Sequence, residues 1–145
     1  MKDFQIRKCS MDDAASLQKM NCEEMGYDYS VEATAQKLQK LLQSEKDCIL
    51  VAVSGETVVG YVHACDYDLL FSPHMKNIMT IAVAEEYRRS GIGSALLREV
   101  EKWAKETGAA GVRLVSGAAR TEAHIFYQRC GYRKEKEQFN FKKWF

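Results

Sequence analysis

Ile81 to Ser94 reads Ile-Ala-Val-Ala-Glu-Glu-Tyr-Arg-Arg-Ser-Gly-Ile-Gly-Ser. An apolar run enters a turn with the spacing Arg88-x-x-Gly91-x-Gly93 and passes straight into a helical pattern. Such a junction can hold a phosphate or pyrophosphate. The first turn of a helix carries unpaired N–H groups and the positive end of its dipole. Glycines let a ligand approach the backbone with no Cβ in the way, and Arg88 and Arg89 add charge. Together these features would form a pyrophosphate cradle. The pattern is neither the GxGxxG dinucleotide fingerprint nor a P-loop, and an ordinary tight strand-to-helix turn shares its shortest features. Other groups could do chemistry too. Tyr127 can hold or give a proton. His63 has an intrinsic pKa near neutrality, although a hydrogen-bonded strand histidine is the simpler account of it. Glu23-Glu24-Met25-Gly26-Tyr27-Asp28-Tyr29 mixes carboxylates and rings that suit a cation by ion pairing and cation–π contact. A polar helix end with two packing tyrosines would have the same composition.

The elements that position these residues follow from periodicity and punctuation. Phe4 to Lys8 alternates as a short strand, and Ser10 offers an N-cap with Asp12 and Asp13 in the first turn. Ala14, Leu17 and Met20 recur at near-helical spacing, with Gly26 as the stop. Ser30 opens a second helix bearing Val31, Ala35, Leu38 and Leu42. Cys48 to Val53 is a buried strand, Ser54-Gly55-Glu56 a turn, Thr57 to Asp66 the return strand, and Ile78 to Val83 another. Gly91 to Thr107 is a long helix facing inward through Ile92, Leu96, Val100 and Trp103, with Gly108 at its end. Gly111 to Val115 is a strand. Thr121 caps a short helix with Ala123, Phe126, Tyr127 and Cys130 on one stripe, ended by Gly131, and Phe139-Asn-Phe141 closes as a strand. The expected order is β-α-α-β-β-β-α-β-α-β-β in one α+β domain over residues 1–145. Its central sheet is mixed and mostly antiparallel, with helices on both faces.

Composition limits the function. A chain of 145 residues with 46% hydrophobic and 28% charged residues is one globular domain rather than a disordered segment. The net charge of +1 lacks the basic excess of a general nucleic-acid binder. No apolar run approaches the ~18–20 residues of a membrane span, and Met1 to Arg7 lacks a leader's apolar stretch. The five cysteines form no Cys-x-x-Cys pair and the three histidines lack ligand spacing. The expectation is therefore no metal and reduced, mostly buried thiols in a cytoplasmic protein. Residues 1–70 carry net −5 and residues 71–145 net +6, so phosphates suit the second half and a cation suits the first.

The junction is similar to the acetyl-CoA signature of the GCN5-related N-acetyltransferase (GNAT) superfamily, Gln/Arg-x-x-Gly-x-Gly/Ala, through Arg88, Gly91 and Gly93. Ala123-x-x-Phe126-Tyr127-x-x-x-Gly131-Tyr132 resembles that family's C-terminal helix motif. The element order agrees along essentially the whole chain. The resemblance implies acetyl-CoA as co-substrate, with backbone groups at Ile81, Ala82 and Val83 pairing with the pantetheine arm and residues 89–94 holding the pyrophosphate. It implies that Tyr127 protonates the departing thiolate. Ala123 opens the last motif, and the family's pantetheine-contacting Asn is replaced by Arg120, which could reach phosphate instead. The connection bearing Glu23, Glu24, Tyr27 and Tyr29 is the expected acceptor pocket, with Met79 and His63 beside it.

The chemistry sets its own requirements. An alkyl amine with a pKa near ~10.4 is neutral in only about one molecule in 2,500 at pH 7, so deprotonation costs roughly 4–5 kcal/mol. Proton donation from a tyrosine (~10) to a thiolate (~8.5) is uphill by roughly 2 kcal/mol unless burial raises the thiolate's pKa. No carboxylate lies on the strand before the turn, which carries Asn77, Met79 and Thr80. Glu85 and Glu86 read as solvent-facing turn residues, and Asp66 and Asp68 could relay protons through water. The expectation is an N-acetyltransferase acting on a primary amine of a small cationic molecule by direct attack. A non-catalytic acyl-CoA sensor and a protein N-terminal acetyltransferase are the alternatives. The terminal aromatics Trp144 and Phe145 either pack on the last strand or form a homodimer contact.

Overall fold

The computed structural model describes residues 3–145. Met1 and Lys2, which begin the segment read as lacking a leader, lie outside the described residues. Two compact units divide the chain, residues 1–114 and residues 115–145.

The first unit is a five-stranded sheet with helices on both faces. Its strands are β1 (Gln5–Lys8), β2 (Asp47–Ser54), β3 (Thr57–Tyr67), β4 (Met75–Val83) and β5 (Gly111–Leu114), and they lie side by side in chain order. The first three pairings are antiparallel and β4–β5 is parallel. A parallel neighbour requires a crossover, and α3 (Ile92–Glu106) supplies it. The other helices of this unit are α1 (Ala14–Met25) and α2 (Val31–Leu42).

Strand alternation sorts the two faces. Ile49, Val51, Tyr61 and Ala82 are buried together with Leu17, Met20 and Leu38 of α1 and α2. Gly60, one residue out of phase with Tyr61, faces α3, because a Cβ there would stand 3.0 Å from Ile92 Cγ2 and 3.5 Å from Leu96 Cδ1. Ile92, Leu96, Leu97, Val100 and Ala104 form the buried stripe of α3.

Local signals act largely as the chain's punctuation predicts. The N–H of Ser10 donates to Asp13 at 2.8 Å, and Arg7 grips the same carboxylate with two hydrogen bonds of 2.8 and 2.9 Å. A short 3-10 turn over Met11–Asp13 leads into α1, which ends at Gly26 with φ 75°. Ser30 Oγ accepts from the Ala33 N–H at 3.1 Å and caps α2. Gly55 turns the hairpin with φ 62°.

Several expectations are corrected. β4 begins at Met75 rather than Ile78, because its pairing with both neighbours extends to that residue. This places Lys76 inside the sheet, where its ammonium pairs with Asp66 at 2.6 Å and lies 4.1 Å from the Trp103 ring centroid. Among the described residues only Cys9 of the five free thiols is buried, and Cys22 is exposed.

The second unit contains α4 (Thr121–Arg129). Arg120 occupies its N-cap and Thr121 is its first helical residue, so the expected Thr121 cap does not form. The two strands expected after this helix are also absent among the described residues, since residues 132–145 hold no regular element. The Phe139-Asn-Phe141 alternation is three residues long and sits between Arg133-Lys-Glu-Lys-Glu137 and Lys142-Lys143. Both phenylalanines are exposed, so neither has the buried face that would fix a strand's register.

Candidate active site

The sheet itself opens the site. β4 pairs with β5 only from Met75 to Ile78, whereas β4 runs on to Val83. Over residues 80–83 its β3 edge is paired, and over residues 79–83 its other edge has no strand partner among the described residues. A free edge of this kind can accept an extended amide-bearing chain through its backbone groups. The register of β3 against β4 slips between His63 and Ala64, which face Thr80 and Ile78. Met79 is therefore the extra, bulged residue, and it is exposed, with its sulfur accepting from Asn77 Nδ2 at 3.0 Å.

Past Val83 the chain makes a 3-10 turn over Glu85–Tyr87, with both glutamates exposed. Arg89 then takes φ 63°, the one positive value among the described non-glycine residues. A residue held there stores roughly 1–2 kcal/mol, a kind of strain that clusters at ligand sites. Gly91 caps α3 at φ 88° and ψ 1°, with no side-chain hydrogen bond at that cap. Ala95 N–H makes the first intrahelical bond, to Gly91 O at 3.0 Å, so the N–H groups of the preceding turn stay directed out of the helix end. A Cβ on Gly91 would meet nothing within 4 Å. The cradle is open, uncapped and flanked by two arginines, which fits a pyrophosphate.

The candidates in and near this cradle have distinct roles. Ile92 and Ala82 are buried and offer only backbone. The Ser90 hydroxyl donates to Tyr87 O, and the Ser94 hydroxyl accepts from Arg98 at 2.6 Å. Arg88 does not stand free: its Nε donates to Val83 O at 3.2 Å and an Nη donates to Glu24 Oε1 at 2.7 Å. The structure thus joins one expected cofactor residue to one expected acceptor residue. Glu23, Tyr27 and Tyr29 are exposed, so the two rings do not pack as core tyrosines. Tyr29 anchors its loop by accepting from Gln18 Nε2 at 3.0 Å.

His63 Nε2 lies 2.7 Å from Asp47 Oδ1, and both side chains are largely buried. Asp66 and Asp68 are engaged by Lys76 and His74, with His74 Nδ1 2.7 Å from Asp68. The expected water relay through these aspartates therefore gives way to fixed pairs. Sequence reading missed the polar cluster of Tyr61, Asn21 and Thr80. The Tyr61 hydroxyl donates to Asn21 Oδ1 and also engages Thr80. Burial pushes its pKa up to about 12, against the lowering effect of those two hydrogen bonds. The available signal was a tyrosine inside the apolar run Val58-Val-Gly-Tyr-Val62, since a buried hydroxyl needs a partner.

In the second unit, Tyr127 is buried, with its ring centroid 5.3 Å from Phe126 and 6.3 Å from Tyr132. Burial raises its pKa above the usual tyrosine value, while the Arg120 charge pulls it down. Arg120 is exposed and Ala123 half-buried. His124 is half-buried, with Nε2 2.9 Å from Gly117 O.

Residues 14–132 match the Acetyltransferase (GNAT) family, and the chain belongs to that family. Its sequence is 33% identical over 102 residues to N-acetyltransferase 8 of Homo sapiens, a stretch that is 68% of this chain and 44% of that protein. The chain thus spans less than half the length of that relative. It is 29% identical over 119 residues to an aminoglycoside N(6')-acetyltransferase type 1 of Acinetobacter genomosp. 13, covering 77% of this chain and 80% of the other. A solved structure described as a transcriptional regulator from Bacillus halodurans C-125 superimposes with a TM-score of 0.89 at 20% identity, over 97% of this chain and all of that one. That likeness concerns the fold alone. No helix among the described residues is long and apolar enough to cross a membrane.

Proposed function

We propose that the protein is an acetyl-CoA-dependent N-acetyltransferase for a primary amine of a small cationic molecule, working by direct attack of the amine. One observation carries the reading: the edge of β4 that lacks a strand partner over residues 79–83 leads through one short turn into the uncapped N-terminus of α3. Acetyl-CoA supplies an activated acetyl thioester when bound. The backbone of Ile81, Ala82 and Val83 would hold its amide-bearing arm, and the N–H groups from Arg89 to Ser94 its pyrophosphate. Tyr127 would be the residue that holds the proton a departing thiolate requires. The C-terminal helix motif supports that role. The acceptor lies by the C-terminal end of α1, where Glu23, Glu24 and the rings of Tyr27 and Tyr29 attract a cation. Similarity to an aminoglycoside acetyltransferase supports a polycationic sugar amine as the acceptor class. Five free thiols support action in a reducing compartment such as the cytoplasm.

The test is calorimetric titration of acetyl-CoA beside a thiol-release assay on a panel of aminoglycosides, polyamines and peptide N-termini. Binding with amine-dependent release is expected. Binding without release for any amine would favour an acyl-CoA sensor. Gly91→Val forces a branched side chain to φ 88°, and it should lose acetyl-CoA binding while the chain still folds. Normal affinity in that variant would remove the cradle from the reading.

A further inference from the structure

We infer that Glu24 exchanges cations: it holds Arg88 while the phosphate cradle is empty, and passes to the acceptor's ammonium once an anionic cofactor draws Arg88 away. The inference rests on the acetyl-CoA reading above. Its basis is the single guanidinium that touches both halves of the proposed site, Val83 O at the end of β4 and Glu24 Oε1 in the last turn of α1. The two partners differ in exposure, with 53% of the Arg88 side chain exposed against 15% for Glu24. A carboxylate so far removed from water needs a cation. The need is greater at a helix C-terminus, where the dipole disfavours an anion. Arg88 is the mobile partner, being half in solvent and only three residues before Gly91 of the cradle. A pyrophosphate presents more negative charge than one carboxylate and suits the planar guanidinium fork.

Once Arg88 turns to phosphate, Glu24 stands unpaired, three residues before the exposed Tyr27. An ammonium group would restore its charge balance. Cofactor and amine would then strengthen each other's binding by the same factor, as linkage requires.

Coenzyme A, which cannot turn over, is the probe. Its affinity is measured by calorimetry for the unmodified protein, Glu24→Gln and the control Glu85→Gln, which removes an exposed charge from the adjoining turn. Glu24→Gln frees Arg88 in advance, so coenzyme A should bind roughly three- to tenfold tighter, with Glu85→Gln giving clearly less. The Arg88 Nε–H resonance should move on addition of coenzyme A to the unmodified protein, and should already be displaced in Glu24→Gln. Equal gains in both variants, no gain, or weaker binding in Glu24→Gln would overturn the exchange while leaving the cofactor reading intact. No coenzyme A binding by the unmodified protein would overturn both. With any amine that is turned over, Glu24→Gln should raise the amine KM and leave kcat near its original value. An unchanged KM would remove the acceptor half of the inference.

Discussion

Tyr127 sits between two demands. Burial raises its pKa, which keeps the proton in place but makes the phenol a weaker acid. Donation to a thiolate then requires that the sulfur be desolvated as well, so that both pKa values rise together. Tyr127→Phe should leave acetyl-CoA affinity unchanged and lower kcat by ~10²–10⁴. Because the folded-state pKa is raised, kcat should show no alkaline loss from this group below pH ~10. Full turnover by the phenylalanine variant, measured by thiol release, would exclude the acid role. Tyr61 has its own pH signature. Its hydroxyl is neutral in the fold up to about pH 12, whereas an unfolded tyrosine ionises near ~10. The folded state thus binds the proton more tightly, and its contribution is complete below pH ~10 and lost as pH rises towards 12. At ~1.36 kcal/mol per pKa unit the loss is roughly 2–3 kcal/mol. Buried Cys9, also raised to about 12, acts with the same sign. Urea unfolding between pH 8 and 12 should show this decline, and Tyr61→Phe should flatten part of it.

Elements were legible where one local signal decided them. Gly26, Ser30 and Gly91 punctuate α1, α2 and α3 as their types predict, because left-handed φ angles and unpaired helix N–H groups are local requirements. The β3–β4 bulge was not legible. It depends on two strands failing to match in register around His63 and Met79, which no single strand encodes. Nor was the reason for Gly60, which has no positive φ and lies within β3. A Cβ there would come within 3.0 Å of Ile92 Cγ2 and 3.1 Å of the Ala82 carbonyl oxygen. Gly60→Ala should therefore push α3 away from the sheet and destabilise the protein by about 1–3 kcal/mol, read as a lower denaturant midpoint. Unchanged stability would mean that the α3 contact yields without strain.

At the scale of the whole molecule, the apolar core lies in the first unit, and the tail beyond α4 remains in solvent. Phe139, Phe141, Trp144 and Phe145 are all at least 85% exposed, and the family match ends at residue 132. Deleting residues 133–145 should change unfolding free energy by less than about 0.5 kcal/mol. A larger loss in the denaturation curve would assign the tail a packing role. The amino-acid sequence alone determined the α+β class, the strand-turn-helix junction and the family, because periodicity, glycine placement and motif spacing are local and survive without coordinates. Only the tertiary structure decided which charges were already spent. Arg88 meets Glu24 across 64 residues, His63 meets Asp47 across 16, and Tyr61 meets Asn21 across 40. Such pairs form when the fold brings distant side chains together with at least one partner largely removed from water, where an unpartnered charge or hydroxyl is penalised.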